Sequence, residues 1–172
     1  MDDFPENDIA EMQVLFICTG NTCRSPLAQY CFEQLSGGRF RSVSAGLYAF
    51  DGEAMSRNSL AVLEENGINA ASFRSQSVTF DLVRSSTLIL TMCDSHRREL
   101  LMRYPQAAEK CALLRHFSGG GDVPDPFGQS LAVYRETFAE IKSALEKWME
   151  FFNNKFEDEP SEKKGKVNER DH

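Results

Sequence analysis

Cys18 and Arg24 bracket five residues, TGNTC, within the stretch VLFICTGNTCRSPLAQ. A thiol and a guanidinium at that spacing suit a loop that wraps a tetrahedral anion. Successive backbone N–H groups of a short turn form an anion-binding concavity, and the arginine fork binds two phosphoryl oxygens at once. Gly20 and Asn21 tolerate the tight or left-handed backbone such a turn needs. Ser25 and Pro26 then open a helix, since proline is accommodated in the first turn, so the positive end of its dipole faces the same spot. These surroundings are expected to lower the pKa of Cys18, because a free thiol with a pKa of about 8.5 is only about 3% ionised at neutral pH. Ser25 is placed to donate a hydrogen bond to the sulfur.

Attack on phosphorus also needs a proton for the leaving group. SGGGDVPDPFGQS supplies a carboxylic acid, Asp125, held between Pro124 and Pro126. The prolines fix the local backbone, and Gly119, Gly120 and Gly121 read as a flexible hinge. Phe127 is available to stack on a flat substrate group. Asp122 is the competing acid and lacks the proline clamp; a plain turn before the next helix is the bland alternative.

Cys18, Cys23, Cys93 and His96 offer a competing zinc set. It is the weaker reading, because Arg24 would place a cation beside the metal and no glycine-rich knuckle surrounds Cys93. Cys93 reads more simply as a small buried residue and His96 as a helix-face residue. No G-x-S-x-G elbow and no G-x-x-x-x-G-K-[ST] loop occurs.

The elements that must position these groups alternate in type. Residues 12–17 are a short apolar run, as expected for a strand buried on both faces. A helix follows and stops at Gly37 and Gly38. Strands are expected over residues 40–45, 86–92 and 111–115. Helices are expected after Ser56, an N-cap with Gly67 as the stop, and from Asp94. Tyr134, Phe138, Ile141, Leu145, Trp148 and Phe152 recur at helical spacing and mark one buried face. Alternating strands and helices imply an α/β fold, a four-stranded parallel sheet flanked by helices on both faces. Its ligand site is expected beyond the carboxyl ends of the strands, where Cys18 stands.

With 172 residues, 41% of them hydrophobic and 26% charged, the chain is expected to form one domain over residues 12–152. Residues 1–11 are expected to be an acidic flexible tail, and residues 153–172 a charged, disordered one. The net charge of −7 argues against nucleic-acid binding. No apolar run approaches the length of a bilayer span, and the acidic N-terminus is no secretory signal. An odd count of five cysteines speaks for reduced thiols. A cytoplasmic monomer without membrane contact is the expectation.

CTGNTCRSP paired with a distant DPFG, and SVSAG after the second strand, resembles the low-molecular-weight protein phosphatases over roughly residues 14–152. The resemblance implies that family's fold, a four-stranded parallel sheet with flanking helices, and a phosphorylated protein as substrate, with no metal and no cofactor. It implies that Cys18 forms a phosphocysteine, that Arg24 binds the transferring phosphoryl group, and that Ser25 assists the thiolate. Asp125 would act first as acid and then as base for the attacking water. Thr19, Gly20, Asn21, Thr22 and Cys23 would build the phosphate loop, with Asn21 tied to Ser44. Cys23 would be the redox partner of Cys18. Thr22, Phe127 and Gly128 resemble the protein-arginine phosphatase branch, where tyrosine phosphatases commonly carry a bulkier aliphatic residue at the Thr22 position. Tyrosine phosphatase is the alternative, and a phospho-residue binding module the non-enzymatic one. Thioredoxin-linked arsenate reductases share the loop, but Cys93 is followed by no cysteine until Cys111.

Overall fold

The computed structural model describes residues 11–157. Of the tails expected over residues 1–11 and 153–172, residues 1–10 and 158–172 lie outside the described residues.

Among the described residues the strands and α-helices follow in the order β1 (Gln13–Cys18), α1 (Arg24–Ser36), β2 (Arg41–Gly46), α2 (Arg57–Glu65), α3 (Phe80–Ser85), β3 (Leu88–Thr91), α4 (Asp94–Arg103), β4 (Cys111–Leu113) and α5 (Leu131–Glu157). The four strands are parallel in the order β2-β1-β3-β4. β1 is therefore central, and its side chains alternate between two apolar layers. Val14 and Phe16 pack with Leu27 and Phe32 of α1 and with Phe138, Ile141, Leu145 and Trp148 of α5. Leu15 and Ile17 pack on the other face with Val83 of α3 and Leu100 of α4. Burial on both faces is why β1 reads as an unbroken apolar run, and each large side chain so buried contributes about 1.5–3 kcal/mol. Trp148 is fully buried, and its indole N–H donates to Leu114 O at 2.8 Å.

The fold class is the expected one, with local differences. α5 does not stop at Phe152: it continues to Glu157, because Phe156 still finds Phe40 and Phe152, with ring centroids 6.2 and 6.4 Å away. The segment expected to be a disordered tail thus begins as helix. β4 is shorter than residues 111–115, since the chain turns as His116 N–H bonds back to Leu113 O. α3 was not expected. It is capped by Thr79, whose hydroxyl accepts from Leu82 N–H at 3.2 Å, and it buries only Val83 fully. A 3-10 segment, Pro105–Lys110, also precedes β4. Among the described residues no helix is long and apolar enough to cross a membrane.

The strand order changes direction at β1, with β2 on one side and β3 on the other. That is the topological switch point, where a crevice opens beyond the strand ends. Cys18 is the last residue of β1.

Candidate active site

Between Cys18 and Arg24 the chain turns from strand to helix with one non-glycine residue in the left-handed region, Asn21, at φ 55°. Its side chain shows what holds it there. Oδ1 accepts from the Gln76 backbone N–H at 2.9 Å, so Nδ2 must face the other way. The two Nδ2 protons go to Ser25 Oγ and Ser44 Oγ, each at 2.9 Å. Ser44 passes its own proton to Gln29 Oε1 at 2.6 Å. Ser25 keeps its proton for Cys18 Sγ, 2.8 Å away, and the Asn21 backbone N–H approaches the same sulfur at 3.3 Å. Asn21, Ser25 and Ser44 are buried, so the network is closed to water. The Asn21–Ser44 tie is the one expected from the sequence.

The end of β2 and the residues just after it support the loop. Leu47 N–H donates to Cys18 O and Tyr48 N–H to Thr19 O. Gly46 sits so close that a Cβ there would lie 2.6 Å from Thr19 O and 2.9 Å from Asn21 N. Only glycine fits this approach.

The electrostatics of Cys18 correct an expectation. Its pKa is not lowered: burial pushes the thiol up, and the Ser25 hydrogen bonds, the Arg24 charge and the Asn21 N–H each pull it back down without prevailing. Desolvation penalises the anion more than the donors repay. The sign gives a prediction. Ser25→Ala removes a lowering contribution, so the pH midpoint for alkylation of Cys18 by iodoacetamide moves upward. An unchanged midpoint would show that Ser25 does not bear on the thiolate.

Arg24 begins α1 almost fully buried and joins the loop to the acid segment. Its Nη1 donates to Val123 O at 3.0 Å, and Nη2 lies 3.4 Å from Asp125 Oδ2. Asp125 is half exposed, and its Oδ1 accepts from Phe127 N–H at 3.1 Å. Asp122 is otherwise engaged, accepting from the Asp94 N–H at the start of α4. Gly119, Gly120 and Gly121 all take left-handed φ values, of 85°, 74° and 85°. They are a conformational requirement of the turn that brings Asp125 in.

A cavity of about 240 Å³ results. Cys18, Arg24 and Asp125 line it together with Thr22 and Phe127, and Thr19, Gly20 and Cys23 complete the wall. Asn21, Ser25 and Ser44 stand behind it. A larger opening of about 440 Å³, between Leu60, Glu64 and Ile68, offers no nucleophile.

The zinc set does not assemble. Cys18 Sγ faces Ser25, Cys23 Sγ lies 3.3 Å from Tyr134 Oη, and Cys93 Sγ lies 3.0 Å from His96 Nδ1. Among the described residues no three His, Cys, Asp or Glu side chains converge as metal ligands would.

Two site neighbours escaped the sequence reading. Tyr134 was read as core; it is buried, and its hydroxyl, pushed up to about 12 by burial first and Cys23 second, meets Cys23. His96 was read as a helix-face residue, yet its Nε2 lies 2.8 Å from Thr19 Oγ1. The Cys-x-x-His spacing at the start of the helix after β3, at the switch point, was the available signal.

A family model described as low molecular weight phosphotyrosine protein phosphatase matches residues 13–158. A protein-arginine-phosphatase of Geobacillus stearothermophilus is 37% identical over 142 residues, covering 80% of this chain and 94% of the relative. The low molecular weight protein-tyrosine-phosphatase PtpB of Staphylococcus haemolyticus (strain JCSC1435) is 37% identical over 130 residues, covering 76% and 92%. The solved structure of the YwlE arginine phosphatase from Geobacillus stearothermophilus matches with a TM-score of 0.80 at 34% identity, covering 84% of this chain and 94% of that one.

Proposed function

The chain belongs to the low molecular weight phosphotyrosine protein phosphatase family, and from that premise we propose that it hydrolyses phosphoarginine in proteins through a phosphocysteine on Cys18. The Cys18 thiolate attacks phosphorus while Arg24 binds the equatorial oxygens and offsets their charge. The P–N bond breaks as Asp125 gives its proton to the departing guanidine nitrogen. Water then attacks the phosphocysteine and yields its proton to the Asp125 carboxylate. The S–P bond breaks, inorganic phosphate leaves, and Ser25 receives the returning thiolate with its hydrogen bond.

The observation that carries the choice of phosphoarginine is the make-up of the cavity wall. Thr22 contributes a hydroxyl and Asp125 a carboxyl oxygen, and among the described lining residues the one aromatic is Phe127. A guanidinium is flat, cationic and rich in N–H donors, so it matches an acceptor pair with one stacking face. An apolar aryl ring gains little from either polar group. Sequence identity does not choose between the two substrates, since the arginine and tyrosine phosphatase relatives are equally similar at 37%. Phosphotyrosine is the second reading, favoured by Phe127, which is 73% exposed and free to stack on a ring.

Thr22→Ile separates them. Wild type is expected to prefer phosphoarginine proteins over phosphotyrosine proteins in kcat/KM. The variant, with an apolar wall in place of the hydroxyl, is expected to shift that ratio toward phosphotyrosine by about 10-fold or more. A wild type that already prefers phosphotyrosine would keep the chemistry and overturn the substrate.

Cys23 completes the proposal as a protective partner. Peroxide oxidises the Cys18 thiolate to a sulfenic acid, and the Cys23 thiol displaces water to leave a reversible disulfide.

A further inference from the structure

The residues that follow β3 touch both halves of the site. Met92 N–H donates to Ile17 O at 3.0 Å, and Met92 O accepts from Val123 N–H at 2.8 Å. Asp94 N–H donates to Asp122 Oδ1 at 2.9 Å. From the first turn of α4, His96 reaches back to the phosphate loop, with Nε2 at 2.8 Å from Thr19 Oγ1. Its other nitrogen, Nδ1, lies 3.0 Å from Cys93 Sγ, and that sulfur has Ser95 Oγ at 3.1 Å. One five-residue stretch is therefore bonded to the nucleophile strand and loop on one side and to the acid segment on the other.

The chemistry of the ring suits a fixed brace. His96 is buried, while the Thr19 side chain it holds is exposed at the cavity wall. Burial first and the Arg24 charge second push the imidazole down to about 4, against the opposing pulls of Asp125, Asp122 and Glu99. At neutral pH the ring is thus uncharged, with one N–H and one lone pair. Whichever nitrogen carries the proton, one faces the Cys93 sulfur and the other the Thr19 hydroxyl. Both bonds survive across the working pH range. The Thr19 backbone carbonyl is held by Tyr48 N–H at 2.9 Å and its side chain by His96, and Thr19 directly precedes Gly20 and the left-handed Asn21, where the backbone is most easily misdirected.

We infer that His96 is a positioning residue for phosphoryl transfer: oriented by Cys93, it pins Thr19, the first residue after Cys18, to the strand end that also carries the Asp125 segment. The inference rests on the phosphocysteine reading of the loop. The chemistry needs the loop N–H groups and the acid held in mutual register, and a displacement of about 1 Å in such a site can cost on the order of 10²-fold in rate.

Three variants test it: His96→Leu, which removes both bonds at similar volume; His96→Gln, which keeps a group able to reach the Thr19 hydroxyl; and Cys93→Ala, which leaves the ring without its orienting partner. Each is assayed for kcat and KM on an aryl phosphate, for inorganic phosphate binding by protection of Cys18 from iodoacetamide, and for Tm. His96→Leu is expected to lose roughly 10-fold or more, mainly in kcat, and to bind phosphate several-fold more weakly. Cys93→Ala is expected to move the same way by less, and His96→Gln to recover part of the loss. A lowered Tm with phosphate protection and kcat within about twofold of wild type would assign His96 to stability alone and overturn the inference. Phosphate protection reads the loop without turnover. A failure of the phosphocysteine reading, seen as activity surviving in Cys18→Ser, therefore remains distinct from a failure here.

Discussion

Cys18→Ser is expected to abolish turnover of phosphoarginine proteins, phosphotyrosine proteins and small aryl phosphates alike, by on the order of 10⁵-fold. The loss has two sources. A serine hydroxyl at the end of β1 has no base beside it; the groups that approach the Cys18 sulfur, the Ser25 hydroxyl and the Asn21 N–H, are donors. They stabilise an anion already formed and cannot remove a proton. An alkoxide is also a far poorer leaving group than a thiolate, so any phosphoserine formed would stall. The substitution is nearly isosteric in a position that is 2% exposed, so the fold is expected to persist. The check is kcat/KM on all three substrates beside a thermal melt. Residual activity above about a hundredth of wild type, in a folded variant, would remove Cys18 from the chemistry.

Arg24→Lys is expected to cost roughly 10³- to 10⁴-fold in kcat/KM despite keeping the charge. The guanidinium has three duties that an ammonium cannot share. It must present a planar pair of N–H groups to the phosphoryl oxygens, it donates to Val123 O at 3.0 Å, and its Nη2 stands 3.4 Å from Asp125. Lysine offers one compact point charge, so holding the phosphate means releasing the acid segment, and the reverse. The Asp125 contact is not counted as a source of stability, since an ion pair with one partner half exposed contributes little. Inorganic phosphate should inhibit the variant less well than wild type. A loss of less than about tenfold would show that charge alone suffices.

How far the molecule was legible depended on whether each contact was local. β1 was visible because both of its faces are covered, leaving an unbroken apolar run. α5 was visible because six buried residues repeat at helical spacing. α3 was hidden because six residues that fully bury only Val83 carry no period. The continuation of α5 beyond Phe152 was masked by charge: Phe156 packs the last turn against Phe40 from a distant part of the chain. The site divides the same way. Cys18, Asn21, Arg24 and Ser25 belong to one turn, so their spacing is their geometry. Asp125 was visible at a distance only because two prolines frame it. Tyr134 sits where helical spacing already explains a buried side chain, so nothing marked its hydroxyl as a partner of Cys23, while the Cys-x-x-His spacing around His96 pointed to a metal set and not to Thr19. The raised pKa of Cys18 was out of reach for a related reason. The donors around the thiol are local in sequence, but the burial that outweighs them depends on how the folded chain packs around the loop.

The most direct measurement is rapid chemical quench of a single turnover with a phosphoarginine protein, followed by mass spectrometry of the peptides carrying Cys18 and Cys23. The account predicts one phosphoryl group on Cys18, formed and lost at rates compatible with kcat, with both rates falling in Asp125→Asn. Inorganic phosphate released at the wild-type rate with no phosphorylated Cys18 at any time, or label on another residue, would contradict it.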